Sequence, residues 1–260
     1  MRIIFIEGVS GVGKTTLAQK LSDSLRGMGF SVECYLEFDF TNPIDFYCTA
    51  YFKHDEYENL LVTFPDYFDA IGIHTIIVED IRLIRYYNGE IALFPEPLLN
   101  VFRKREFCYK PNNPVPLPEY TRVYKLVWEM LTQKKNNQTD FLIFDGSLIH
   151  HPVNDLMRNY NATCEQVISH VNTLAKSVNS LKPRVVYLWA DNIAERLHKA
   201  HICRKQTLPT PDKIQFWEER KQIDLAVLQQ LLIPYDFYDI SQEDWDSKID
   251  EMLTRILETD

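Results

Sequence analysis

The sequence predicts an α/β fold in which helices cover both faces of a parallel sheet. Three apolar runs, at residues 3–6, 141–144 and 185–189, are rich in β-branched and aromatic residues, which indicates buried strands. Segments with apolar residues at helical spacing separate these runs. Strands that alternate with helices are typical of a parallel sheet wrapped on both sides.

The remaining elements follow in order along the chain. The predicted helices cover residues 14–26, 55–64, 119–135, 163–181, 193–200 and 211–232, and two further strands lie at 31–36 and 235–240. Asp191 is predicted to cap the helix at 193–200, and Pro211 suits the first turn of the next helix. Ser241 and Asp244 have the spacing of a capping box before a final amphipathic helix.

Residues 66–118 interrupt the alternation and are predicted to be an insert in a single domain that spans residues 1–260. The stretch HTIIVEDIRLIRYYNGEIALF is typical of a β-hairpin, with Asn88-Gly89 as its turn. Six prolines between residues 95 and 118 argue against regular structure there. We therefore expect an α/β core with a hairpin and Pro-rich insert.

Composition narrows the class of protein. The chain has 260 residues, of which 45% are hydrophobic and 25% are charged, as in an ordinary globular protein. A formal net charge of -9 argues against a protein that coats nucleic acid. No apolar run approaches membrane length, and five cysteines without a C-x-x-C pair indicate reduced thiols. These features predict a cytoplasmic protein with no membrane attachment.

The first strand leads into a glycine-rich loop with the pattern G-x-x-x-x-G-K-[ST]. The loop residues are Gly8, Val9, Ser10, Gly11, Val12, Gly13, Lys14, Thr15 and Thr16. Such a loop turns successive backbone N–H groups toward an anion, and the helix after it adds the positive end of its dipole. Lys14 is expected to reach the β- and γ-phosphates, and the Thr15 hydroxyl to bind Mg²⁺. An ordinary strand–helix turn is the alternative, but the flanking strand and helix favour a phosphate site.

The strand FLIFD supplies a second part of this site. Asp145 comes at its carboxyl end, where α/β sheets bind ligands. There it would hold Mg²⁺ together with Thr15. The alternative is an aspartate that caps the next turn. Downstream of a phosphate loop, the metal role is favoured.

Several stretches resemble the thymidylate kinase and deoxynucleoside kinase group of P-loop kinases. The stretch FIEGVSGVGKTTLAQKLSDSL is similar to the beginning of those proteins, KPRVVYLWADNIAERLHKAHICRK to their strand and lid helix, and FWEERKQIDLAVLQQLLIPYDFYDIS to their last long helix and strand. Ser10 stands where thymidylate kinases usually carry Asp, and DGSLIHHP replaces their D-R-[YFH] motif. YLEFDFTNPIDFY and DGSLIHHP also resemble an uncharacterised bacterial branch of P-loop proteins.

The resemblance implies an acceptor-orienting carboxylate just past the second strand and a basic lid. Asp39 is favoured for the carboxylate, with Glu37 close behind; the alternative is a solvated acidic loop. The lid would span 196–212, with Arg196 or Arg204 closing on the phosphates; a solvated basic turn is the alternative.

Other side chains have two interpretations each. His150 and His151 are expected to be a turn pair packed under the loop rather than ligands. The arginines at 82, 85, 103 and 105 either bind an anionic acceptor or lie on an ordinary surface. The aromatic residues at 120, 124 and 128 are expected to pack in the core rather than stack on a base.

These patterns predict a P-loop kinase that uses Mg²⁺ and ATP and phosphorylates a small molecule, with a nucleoside or nucleotide as the implied acceptor. A nucleotide hydrolase or switch is the alternative, although the sequence has no N-K-x-D guanine motif and no ABC signature. The third hypothesis is a binding protein that retains the fold but has lost the activity. The presence of Lys14, Thr15 and Asp145 argues against it. The sequence leaves a homodimer open, and the choice of ATP over GTP comes from the resemblance alone.

Overall fold

The structure, a computed structural model, describes residues 1–37, 39–111, 115–133, 138–242 and 245–258. Its strands are β1 (Arg2–Gly8), β2 (Val32–Tyr35), β3 (Thr49–Lys53), β4 (Thr75–Val78), β5 (Ile81–Arg85), β6 (Tyr87–Asn88), β7 (Ile91–Ala92), β8 (Phe141–Asp145), β9 (Arg184–Trp189) and β10 (Tyr235–Asp239). Its helices are α1 (Lys14–Gly27), α2 (His54–Thr63), α3 (Phe68–Ile73), α4 (Glu96–Arg103), α5 (Leu117–Gln133), α6 (His150–Asn159), α7 (Cys164–Ser177), α8 (Ile193–Cys203), α9 (Pro211–Gln229) and α10 (Ile249–Glu258).

The contacts within the chain divide it into two compact units. The first unit comprises Met1–Glu37, Thr132–Asn154 and Ala162–Asp260, and the second comprises Phe38–Leu131 and Asp155–Asn161. All of the predicted insert, residues 66–118, falls in the second unit. The single domain spanning 1–260 stays a prediction.

A five-stranded sheet forms the centre of the first unit, in the order β10-β9-β1-β8-β2. Every neighbouring pair is parallel. Alternate residues of β1 point to opposite faces, and both sets are buried because helices cover both sides. Ile4 and Ile6 belong to the cluster that includes α1 and α10, and Tyr187 of β9 is hydrogen-bonded to α9. The predicted α/β fold is confirmed.

Strand order explains where the ligand-binding edge lies. The chain leaves β1 for the sheet edge at β2, returns to β8 beside β1, and then crosses to β9 on the other side of β1. Ligands bind at such reversals of strand order, outside the carboxyl ends of the strands. Ile6 of β1 pairs with Asp145 of β8, so the loop after β1 begins next to that carboxylate.

The second unit is built on an antiparallel sheet with strand order β3-β5-β4 and a small β6–β7 hairpin. Its apolar core gathers residues of β3, β5, α2 and α4, among them Phe52, Ile84 and Phe102. The aromatic residues at 120, 124 and 128 are all buried, as predicted. In the described residues, no helix combines the length and apolar character needed to cross a membrane.

Two local predictions in the insert were wrong. The segment from 74 to 94 forms two hairpins. Strands β4 and β5 turn at Glu79-Asp80, and the turn at Gly89-Glu90, one residue past the predicted Asn88-Gly89 pair, joins only the short strands β6 and β7. The Pro-rich region contains the regular helix α4, with Pro95 at its N-cap and a second proline in the first turn. Prolines are tolerated there because the first N–H groups of a helix have no intrahelical partner.

The N-termini of two helices differ in detail from prediction. Asn192, rather than Asp191, is the N-cap residue of α8, and the Asp191 carboxylate accepts a hydrogen bond from the Trp189 indole. His150 begins the helix α6 rather than lying in a turn. Pro211 is the first residue of α9, as predicted. The predicted partner of Ser241, Asp244, lies outside the described residues.

Candidate phosphate-binding site

The backbone of the loop after β1 depends on its glycines. Gly8 has φ of 140° and Gly13 has φ of 89°, in a region that L side chains rarely adopt. Each is also crowded, because an added Cβ would lie 2.5 Å from the Leu188 carbonyl oxygen at Gly8 and 2.6 Å from Trp245 Nε1 at Gly13. The loop therefore curls tightly and leads directly into the N-terminus of α1, where unpaired N–H groups attract anions.

Lys14 lies inside this curl. Its side chain is buried, and Nζ donates a 3.1 Å hydrogen bond to the Val9 carbonyl oxygen. Burial lowers the pKa of the ammonium, while the carboxylates of Asp145, Glu37 and Glu7 oppose that shift. The loop thus holds a cation whose charge is poorly solvated, and such a cation gains strongly from a bound phosphate.

Thr15 and Asp145 meet at the ends of α1 and β8. The Thr15 hydroxyl donates a 2.5 Å hydrogen bond to Asp145 Oδ2. The other oxygen, Oδ1, is buried and has no hydrogen-bond partner among the described residues. A buried carboxylate oxygen without a donor fits a cation, and hydroxyl and carboxylate oxygens suit Mg²⁺. The described residues contain no cluster of three or more His, Cys, Asp or Glu side chains that could hold a metal ion.

A buried glutamate ties β1 to the turn that follows Asp145. Glu7 is fully buried, and its two carboxylate oxygens accept 2.8 Å hydrogen bonds from the Leu148 and His150 amides. Burial raises its pKa to about 7, and these amides and Lys14 limit the rise. We call residues 146–150 the β8 turn.

Helix α9 contacts the same turn from another side. The Arg220 guanidinium, 0% exposed, donates to the carbonyl oxygens of Ile149 at 3.0 Å and His150 at 3.2 Å. The His150 ring stacks on Trp217 with centroids 5.3 Å apart, and its Nδ1 lies 3.0 Å from the Gly8 carbonyl oxygen. Burial and the nearby cations hold the His150 pKa well below its usual value, so the ring is neutral and Nδ1–H donates to that oxygen.

The two candidates for the acceptor-orienting carboxylate have different surroundings. Glu37 follows β2 in the first unit, and its charge favours the protonated form of Lys14. Asp39 belongs to the second unit, where one oxygen accepts hydrogen bonds from the amide and the hydroxyl of Thr41. This local turn occupies one oxygen of Asp39.

The two predicted lid arginines also differ. The backbone of Arg196, in the first turn of α8, packs against Gly11, and its guanidinium donates to Asn192 and to the Ile240 carbonyl oxygen. Arg204 follows the end of α8 and is exposed, and its side chain has no carboxylate partner within the described residues. Arg196 therefore braces the loop, whereas Arg204 is available to a ligand.

The arginines of the second unit contact the protein itself. Arg85 donates to the carbonyl oxygens of Phe40, Asn42 and Asp45, and Arg105 pairs with Glu56 at 2.9 Å. A cavity of about 570 Å³ in this unit is lined by three cations and three carboxylates, namely Lys53, Arg105, Arg122, Glu56, Asp80 and Glu119. Because their charges balance, this cavity offers no net attraction for a polyanion.

Sequence reasoning missed the buried polar residues that brace the site: Glu7, Trp217, Arg220 and Asp224. One signal was available, since Glu7 is a charged residue that directly follows the apolar run at residues 3–6. For α9 the signal was weak, because Trp217, Arg220 and Asp224 share a helical face that also looks like an ordinary charged surface.

Comparisons with known proteins give distant structural likenesses. No protein-family model matches the sequence, and no curated protein matches it at a significant level. The fold is similar to YorR protein from Bacillus subtilis in complex with phosphorylated GDP, with a TM-score of 0.47 and 12% identity over 98% of this chain and 95% of that chain. It is also similar to a gluconokinase from Sinorhizobium meliloti 1021, with a TM-score of 0.39 and 10% identity over 98% and 93% of the two chains. At these distances no reaction can be assigned by likeness, so function is inferred from the chain's own residues.

Proposed function

We propose that this protein is a P-loop kinase, which transfers the terminal phosphoryl group of ATP to a hydroxyl or phosphate oxygen of a small molecule such as a nucleoside or nucleotide. One observation carries the proposal. The glycine loop with its buried Lys14 and the Thr15–Asp145 pair lie together at the carboxyl ends of neighbouring parallel strands. Phosphate-binding amides, a cation and hard oxygen ligands are the parts that phosphoryl transfer requires.

In this proposal, each residue has a stated task. The loop amides and Lys14 bind the phosphates, and Thr15 and Asp145 hold Mg²⁺, which would neutralise charge on the phosphate oxygens. Glu37 or Asp39 accepts the acceptor's proton as the new P–O bond forms and the bond to ADP breaks. Arg204 would approach from the lid and stabilise charge on the transferred group.

The decisive experiment measures ADP release from Mg·ATP with and without a panel of nucleosides, nucleotides and sugars. We expect one class of acceptor to raise turnover sharply, with the phosphorylated acceptor detected by mass spectrometry. Lys14→Ala should abolish this turnover while leaving the protein folded. The Lys14 ammonium is needed at the phosphates, and within the described residues its hydrogen bond is to the Val9 carbonyl oxygen.

The same experiment separates the alternatives. Strong Lys14-dependent ADP release that no acceptor changes would refute the kinase and establish a hydrolase or switch. Nucleotide binding without turnover under any condition would establish a binding protein.

A further inference from the structure

Two buried charged side chains, Glu7 and Arg220, hold amides and carbonyl oxygens of the β8 turn. Its amides at Leu148 and His150 donate to Glu7, and its carbonyl oxygens at Ile149 and His150 accept from Arg220. The Gly146 amide donates to the Ile6 carbonyl oxygen at 2.9 Å. The turn that begins directly after Asp145 is therefore fixed to both β1 and α9.

Asp224 and Tyr187 in turn hold the Arg220 side chain in place. Its Nε donates a 2.8 Å hydrogen bond to Asp224 Oδ1, and Asp224 Oδ2 accepts a 2.8 Å hydrogen bond from the Tyr187 hydroxyl of β9. Both partners of the Arg220–Asp224 ion pair are 0% exposed. The guanidinium therefore has one orientation, and its two remaining nitrogens face the turn.

The same helix reaches the phosphate loop through His150. Trp217, one turn before Arg220 on α9, stacks on the His150 ring, and that ring donates to the Gly8 carbonyl oxygen. Gly8 is the first glycine of the loop. Helix α9 thus contacts the segment after Asp145 and, through one ring, the segment before Lys14.

Stability alone does not account for this arrangement. Burying a carboxylate and a guanidinium has a desolvation cost, and apolar residues of similar volume often stabilise a fold equally well. Here each buried charge is directed at backbone groups of one five-residue turn. Groups that orient a metal ligand from outside the coordination shell typically change metal affinity 10- to 100-fold when they are replaced.

We propose that Glu7 and Arg220 are positioning residues, which fix the β8 turn so that the Asp145 carboxylate and the phosphate loop keep the spacing needed to bind magnesium and nucleotide together. This inference rests on the proposed function, because it assigns the metal to Thr15 and Asp145. Neither residue is expected to touch the nucleotide. Their effect should therefore appear in the cooperation between magnesium and nucleotide rather than in the binding of nucleotide alone.

The test measures ATP affinity by calorimetry with and without MgCl₂ in the unmodified protein and in Glu7→Gln. The amide replaces one acceptor by a donor that faces a backbone N–H, so one of the two hydrogen bonds is lost. We call the factor by which Mg²⁺ increases ATP affinity the magnesium factor. We expect it to fall at least tenfold, while affinity for ATP without Mg²⁺ changes less than threefold. Hydrogen exchange should become faster at the Leu148 and His150 amides.

Arg220→Lys is the second variant, to be used also if Glu7→Gln does not fold. The lysine ammonium has a single nitrogen instead of a planar fork of three, so it cannot reach Asp224 and both carbonyl oxygens from one position. Arg220→Lys should therefore reproduce the loss of magnesium dependence. Arg184→Gln is the matched control, because Arg184 pairs with Asp236 at the amino-terminal end of β9, whereas the turn follows the carboxyl end of β8. It should leave the magnesium factor unchanged.

The outcomes separate this inference from the proposed function. Folded Glu7→Gln and Arg220→Lys proteins with an unchanged magnesium factor would overturn the positioning role. Normal magnesium-dependent binding in the unmodified protein without transfer to any acceptor would overturn only the kinase function. Absence of Lys14-dependent nucleotide binding would overturn both.

Discussion

The Thr15 hydroxyl donates a hydrogen bond of 2.5 Å to Asp145 Oδ2, although 130 residues separate the two in the chain. The contact joins the first turn of α1 to the last residue of β8. It arises because β1 and β8 are parallel neighbours, so their carboxyl ends and the groups that follow them meet. The pair supplies two oxygen ligands of the kind that Mg²⁺ prefers in nucleotide sites.

Replacing Asp145 by Asn should remove magnesium-dependent turnover. The amide is neutral and nearly isosteric, so it keeps the hydrogen bond from Thr15 but loses the charge that holds the cation. We expect turnover to fall by about 10²–10³-fold, equivalent to roughly 3–4 kcal/mol of transition-state stabilisation. Thr15→Ser, which retains the hydroxyl, is the matched control and should keep most of the activity. Equal turnover in Asp145→Asn and the unmodified protein would remove Asp145 from the metal site.

Gly13→Ala should disrupt the phosphate loop. The new Cβ would lie 2.6 Å from Trp245 Nε1 on a residue with φ of 89°, so either the loop or the tryptophan must move. We expect a loss of about 1–2 kcal/mol in the free energy of unfolding and loss of nucleotide binding. Urea denaturation and calorimetry measure the two effects.

Gly27→Ala provides the comparison on the same helix. Apart from its chain neighbours and the backbone of α1, no atom of the described residues lies within 4 Å of a Cβ added at Gly27, at the C-terminal end of α1. This variant should be neutral or more stable by up to about 1 kcal/mol, because alanine has the higher helix propensity. A Gly13→Ala protein as stable and as active as Gly27→Ala would contradict the crowding seen at the loop.

The phosphate loop and Asp145 were predictable because their signals are local. A strand, a loop pattern and a helix follow one another in residues 3–26, and an apolar strand ending in an acid needs no knowledge of the fold. Parallel strand order then brings the two segments together. The branch of kinases to which the resemblance points stays a prediction.

The bracing residues were not predictable because their role depends on tertiary contacts. Arg220 occurs in the run EERKQID, which has the composition of an exposed helical surface, yet its side chain is 0% exposed. Burial of Arg220 follows from the position of Asp224 and of the β8 turn, which the sequence does not reveal. Strand β3 was missed for a related reason, because a five-residue strand pairs with β5 from a distant part of the chain.

Glu37→Gln should impair phosphoryl transfer more than Asp39→Asn. The Glu37 charge favours the protonated form of Lys14, so we place Glu37 beside the phosphate loop. Asp39 instead accepts two hydrogen bonds within its own turn. Asparagine at 39 can accept the same bonds, so Asp39→Asn tests charge without breaking the turn. We expect Glu37→Gln to lower kcat by about 10²–10⁴-fold and Asp39→Asn by less than tenfold. The reverse order would assign the role to Asp39, as sequence analysis favours.

Arg204→Ala should lower kcat without lowering stability. The side chain is exposed after the end of α8, so its removal leaves no cavity and no unpaired carboxylate among the described residues. An arginine that stabilises the transferred phosphoryl group is worth about 10³–10⁵-fold in kcat. Lys199→Ala, which removes an exposed cation of α8, is the matched control and should change kcat less than threefold. Similar kcat values for the two variants would exclude a lid role for Arg204.

Acid stability should depend on His170, a buried residue of α7. Burial lowers the pKa of its imidazole from 6.5 to about 3. Because the folded-state pKa lies below the unfolded value, the unfolded chain binds the additional proton between these two values. The contribution of His170 to stability is thus fully present above pH 6.5 and is lost as the pH falls toward 3, by up to about 1.4 kcal/mol for each pH unit.

His170→Gln removes this titration while keeping a polar side chain of similar size. Its free energy of unfolding should fall less steeply than that of the unmodified protein between pH 6.5 and 4, as measured by urea denaturation at each pH. Parallel pH curves for His170→Gln and the unmodified protein would mean that the imidazole becomes protonated in the folded state without loss of stability, contrary to the effect of its burial.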